Sequence, residues 1–145
     1  SARERVDNVL ESTLREALHE PAIEAMELGG DIALRQGDAA GAIDAYQQTL
    51  KHIDETGFVV TRYRATVKLA NVFLDNGDLA AAEPLVGSLI ESGEKPSVLR
   101  VRARYAHLRG DSARAVELME TLKSTFADDW TDADAAALDR YRNGV

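Results

Sequence analysis

At 145 residues the chain has the size of one ordinary domain and is long enough to bury a substantial core. It has no cysteine, which excludes disulfides and thiolate metal sites and suits a reducing, cytoplasmic compartment. A net charge of −8 argues against phosphate-backbone binding, hence against nucleic acid, and 45% hydrophobic content argues against disorder.

The chain opens with a predicted helix over 2–19, in which Val6, Leu10, Leu14, Ala17 and Leu18 share one face. Pro21 is expected to open the next helix, which carries Met26, Gly29, Gly30 and Ala33. Two adjacent glycines in a helix cost roughly 1 kcal/mol each against alanine. They imply either close packing or a bend. Gly37-Asp38 then marks a turn: glycine ends a helix in the left-handed conformation, and aspartate accepts the free amides that begin the next. A helix with Ala42, Ile43, Tyr46, Leu50 and Ile53 on its apolar stripe follows, and extends toward Thr56.

The same pattern then recurs. A helix with Thr66, Leu69, Ala70 and Phe73 runs into Gly77-Asp78, and one with Ala82, Leu85, Val86, Leu89 and Ile90 comes out of it. Pro84 is expected to be tolerated near the start of that second helix. A helix with Leu99, Ala103 and Ala106 runs into Gly110-Asp111, followed by Ala115, Val116, Met119, Leu122 and Phe126. In all three units an alanine lies five residues past the glycine and a larger apolar residue nine past it. Finally, Thr131 with Asp134 reads as a capping box for a closing helix over 131–142, its apolar content Ala136, Leu138 and Tyr141. Trp130, the one tryptophan, is read as packing that helix against the preceding pair; an exposed tryptophan would instead mark an interface.

The segment Leu28 to Leu50 resembles a tetratricopeptide repeat (TPR), through Gly30, Gly37, Ala42, Ile43 and Tyr46. The second unit is similar through Ala70, Phe73, Gly77 and Ala82, and the third through Leu99, Ala103, Gly110 and Ala115. The resemblance implies an all-α fold, an α-solenoid of antiparallel helix pairs in a right-handed superhelix of about eight helices. It places the chain in a single domain, 1–145, with repeats over 22–56, 59–92 and 96–126 between the two terminal helices. Two departures stand out. The first two glycine turns lie 40 residues apart where 34 is usual, so the helices around Thr56-Gly57 should be longer; similar extended repeats occur in bacterial regulators. Arg102 stands where the family usually has an aliphatic side chain.

The resemblance also implies a function: a non-enzymatic adaptor or scaffold that binds a protein or peptide segment in a concave groove lined by the first helix of each repeat. Carried over by position, that lining includes Glu27 and Asp31, then Arg64, Val67, Lys68, Asn71 and Leu74, then Arg100, Arg104 and His107. The four basic residues suit an acidic segment, and Asn71 suits the backbone of an extended ligand. Residues 58–126 carry 10 basic and 8 acidic side chains between acidic ends, which agrees with an acidic partner and equally with ordinary solvated faces. Glu27 and Asp31 stand where receptors of chaperone carboxyl tails have lysine and asparagine, so that clamp is not expected.

Two other readings are a sensory or regulatory array cut from a larger bacterial transcription regulator or signalling protein, and a self-association module forming a homo-oligomer. Catalysis is not expected. His19, His52 and His107 have no metal-ligand spacing, and neither a phosphate loop nor a nucleophile elbow is present. No cofactor, metal or membrane insertion is expected either, since no apolar run approaches the roughly 20 residues a bilayer requires.

Overall fold

The computed structural model describes residues 2–57 and 61–145, with the backbone alone for 12–19. Seven α-helices occur among them: α1 (Ala2–Arg35), α2 (Ala39–Thr56), α3 (Arg62–Asp75), α4 (Leu79–Leu89), α5 (Pro96–Leu108), α6 (Ser112–Thr125) and α7 (Asp132–Asn143). Short 3₁₀ turns follow α4 at Ile90–Ser92 and α6 at Ala127–Asp129. No strand occurs among the described residues, so the fold class is all-α as the sequence implies.

Each Gly-Asp step works as a paired stop and start. Gly37, Gly77 and Gly110 have φ of +75°, +75° and +99°, a region open to glycine and strained for side-chain-bearing residues. The amide after each glycine reaches back to the last helical turn: Asp38 donates to the Ala33 carbonyl, Asp78 to Phe73 and Asp111 to Ala106, each at 2.8 Å. The same aspartates then accept from the third amide of the following helix, Gly41 at 2.8 Å, Ala81 at 3.0 Å and Arg114 at 3.1 Å. One dipeptide thus satisfies orphan carbonyls of the helix before it and an orphan amide of the helix after it.

The chain divides into two compact units, Ser1–Ala65 and Thr66–Val145, with the boundary inside α3. In the first, α1 and α2 form an antiparallel pair in which Asp31 meets Tyr46 across the Gly37 turn. Ile23, Ala42, Tyr46 and Ile53 are fully buried there. Gly30 makes the pairing close. A Cβ at Gly30 would stand 2.3 Å from Cε1 of Tyr46, whereas one at Gly29 would meet nothing within 4 Å. The glycine pair therefore serves packing, and it does so through one member. Of the longer helices expected around Thr56-Gly57, α2 is extended, with 18 residues against 11 in α4 and 14 in α6, and ends on Gly57 in the left-handed region, whereas α3 has 14 described residues.

In the second unit the core gathers Leu99, Ala103 and Ala106 from α5, Ala115, Leu118, Met119 and Leu122 from α6, and Leu138 and Tyr141 from α7, with Phe126 and Trp130 packed against it. Trp130 thus takes the packing role. Thr131 and Asp134 form the expected capping box, each side chain bonding the other's amide. Pro84 lies in the middle of α4 rather than near its start, and that helix continues through it.

One expected boundary is corrected. Helices over 2–19 and from Pro21 onward are a single helix, α1, with Pro21 inside it. Pro21 is exposed; it removes one backbone donor from the helix, and α1 continues through it. Residues 2–11 are exposed, Val6, Val9 and Leu10 included. The expected shared face of Leu14, Ala17 and Leu18 falls outside the described side chains, and the expected start of the second repeat at 59 outside the described residues.

Candidate functional site

The polar residues expected along a binding groove are neither free nor equivalent. In the first unit, Glu27 is buried in α1, 5% exposed, and accepts from Arg64 of α3 at 3.3 Å. Asp31 accepts the Tyr46 hydroxyl at 2.5 Å. Burial, reinforced by this bond and by the Asp31 charge, pushes the Tyr46 phenol far above its ordinary range, so it stays a donor at all physiological pH. Glu27 and Asp31 are therefore engaged in holding α1 to its neighbours.

In the second unit, Arg100 and Arg104 project from one face of α5, four residues apart, and go to different partners. Arg100 makes a bidentate bond to Asp134 of α7, Nε and Nη2 each at 2.9 Å, and a further bond to the Asp129 carbonyl at 2.6 Å. Asp134 is 5% exposed. Burial alone would raise its pKa, but the Arg100 bond and the two Thr131 bonds override that and hold it below the usual carboxylate value. Arg100 thereby ties α5 to the capping box of α7, which makes it a strut of the fold.

Arg104 is held differently. Nη1 donates to Oδ1 of Asn71 at 3.1 Å, and Nη2 pairs with Asp75, both residues of α3. Asp75 is 57% exposed and Arg104 35%, so this guanidinium is oriented by its neighbours yet open to solvent. Lys68 lies one turn before Asn71 on the same helix, half-buried and engaged. His107, one turn after Arg104, bonds Ser112 through Nδ1 at 2.9 Å, and its ring lies 4.7 Å from that of Tyr141. Lys68, Asn71, Asp75, Arg104 and His107 form the polar face of α3 and α5 in this unit. Val67 and Leu74, expected beside them, are instead buried.

Asp75, and the pairing of the capping residue Asp134 with Arg100, are what sequence reading did not reveal. A signal existed in the repeat length: Arg100 and Asp134 are 34 residues apart and Arg104 and Asn71 33. Complementary polar residues one repeat apart meet on equivalent helices of neighbouring repeats.

Among the described residues no group of three or more histidine, cysteine, aspartate or glutamate side chains is placed to hold a metal ion, and no helix is long and apolar enough to cross a membrane. No curated protein matches the chain at a significant level. The family model described as tetratricopeptide repeat matches residues 1–56 and 67–133, most of the chain and all three glycine-aspartate hairpins. The chain belongs to the tetratricopeptide repeat family.

Proposed function

We propose that this chain is a protein-docking module that takes an acidic segment of a partner on the polar face of α3 and α5 in the second unit. Tetratricopeptide repeats generally mediate protein–protein interaction and are typically non-enzymatic, which supports the class of function. The acidic partner rests on one observation: Arg104 is pre-oriented by Asn71, and its other partner, Asp75, is exposed. A partner carboxylate can take over the bond to Nη2 while Asp75 turns to water, so no charge is left buried. Arg100 offers no such exchange, because displacing the buried Asp134 would strand a carboxylate and open the α7 cap. Lys68 adds positive charge on the same face, and His107 flanks it with a polar ring.

The test is binding of a nine-residue glutamate-rich peptide, measured by fluorescence anisotropy against wild type, Arg104→Glu and Arg100→Glu. Arg104→Glu is expected to weaken binding at least tenfold, about 1.4 kcal/mol, with helicity unchanged. Arg100→Glu is expected to lower the melting temperature. Equal affinity of wild type and Arg104→Glu would remove this face from the function.

A further inference from the structure

The opposite side of α5 carries a second feature. Residue 102 is turned about 200° from residue 100 around a helix of 3.6 residues per turn, so Arg102 points away from the face just described. It lies in a groove of about 260 Å³ between α4, α5 and α6, wholly within the second unit. Val86, Tyr105 and Leu118 form its apolar walls, and Ile90, 62% exposed, stands at its edge.

The lining of this groove carries three guanidinium groups, Arg102, Arg109 and Arg114, and two carboxylates, Glu83 and Asp111. Asp111 accepts the Arg114 amide as the cap of α6. The Arg114 guanidinium pairs with Glu117 at 2.9 Å, which leaves Arg102, of these two arginines of the groove wall, as the guanidinium without a bonded carboxylate. Glu83 stands on the rim as the other acidic residue. Arg102 is half-buried, and among the described residues it has no hydrogen bond or ion pair. Its surroundings disfavour its charge: burial, then the nearby Arg114, lower its pKa from the ordinary arginine value, against a smaller opposing pull from Glu94. The groove thus joins an apolar trough to a guanidinium that has no bonded carboxylate among the described residues.

We infer that this outer groove docks a short acidic-apolar peptide segment of a partner protein, one aliphatic or aromatic side chain entering the trough while an adjacent carboxylate pairs with Arg102. Three features favour a peptide anchor. Small-molecule sites usually begin at about 300 Å³, above this volume. An exposed isoleucine beside a buried apolar floor is the form of an anchor pocket on a protein surface. Charge complementarity then selects an acidic neighbour for the anchor. Nothing in this inference depends on the α3–α5 face, and one protein can use both.

The experiment titrates ¹⁵N-labelled protein with acetyl-Glu-Glu-Leu-Phe-Gly-amide, and with two control peptides. One replaces both glutamates with glutamine, the other replaces leucine and phenylalanine with glycine. The acidic-apolar peptide is expected to shift the amides of Val86, Ile90, Tyr105 and Leu118, with each control at least fivefold weaker. Arg102→Gln and Ile90→Ser should each weaken it at least fivefold, while Arg104→Glu, which silences the other face, leaves these shifts in place. Loss of the shifts in Arg104→Glu, equal binding of the glutamine peptide, or full binding by both groove variants would overturn the inference. So would a concentration-dependent dimer of the free protein, by sedimentation, that Arg102→Gln dissociates, because the occupant would then be a second copy of this chain.

Discussion

Gly29 and Gly30 are neighbours in one helix with the same intrinsic cost, and only their surroundings separate them. Gly30 lies under the ring of Tyr46, which is fully buried and fixed by its bond to Asp31. A methyl group there has nowhere to go, because the ring cannot swing aside without breaking that bond. Gly30→Ala is therefore expected to destabilise the protein by about 1–3 kcal/mol, the usual cost of overfilling a packed site. Gly29 faces open space, and Gly29→Ala is expected to stabilise by about 0.5–1 kcal/mol through helix propensity alone. Urea unfolding of the two variants should move their midpoints in opposite directions. A shared direction would mean that the helix backbone, rather than the Tyr46 contact, sets the need for glycine.

At the scale of elements, α7 is fastened at its first turn. Asp134 serves three purposes: it is the third residue of the helix and closes the capping box, it is the acceptor for Arg100, and it is a negative charge at a helix N-terminus. Because its folded-state pKa lies below the unfolded carboxylate value of about 3.9, its contribution to stability is present above that value. It is lost as the pH falls through the lower, folded one. Asp134→Asn should accordingly be less stable than wild type at pH 7, and the difference should shrink toward zero as the pH is lowered from about 4 to 2. Parallel stability curves over that range would show that the Arg100 pair carries no proton linkage. The helix boundaries at the three Gly-Asp steps were readable in the sequence, whereas the one expected at Pro21 was not a boundary. The stop and start signals act within about four residues of each Gly-Asp step, a range over which chain order fixes who meets whom.

At the largest scale, the second unit draws part of its core from its last helix. Leu138 and Tyr141 of α7 belong to the same buried core as Leu99, Met119 and Leu122 of α5 and α6. Removing residues 131–145 is expected to lower the melting temperature by more than 5 °C and to produce dye-binding apolar surface, read by thermal circular dichroism and anilinonaphthalene fluorescence. An unchanged melting temperature would mean that α5 and α6 are self-sufficient. Terminal helices with a polar outer face commonly play this part in repeat proteins.

The sequence alone determined the all-α class, the three Gly-Asp turns and the cap of α7, because each rests on short-range hydrogen bonds or on a 3.6-residue apolar period. It also supplied the cationic residues of α3 and α5, though not their employment. Which arginine is a strut and which is open was decided by the tertiary structure, since the deciding acceptors, Asp134, Asp129, Asn71 and Asp75, lie 29 to 34 residues away on other elements. The fate of Arg102 was decided in the same way: only the packing of α4, α5 and α6 shows that, among the described residues, no hydrogen-bond or ion-pair partner reaches it. A guanidinium's reach is a few ångströms, and the chain brings such distant positions within that range only once its helices have packed.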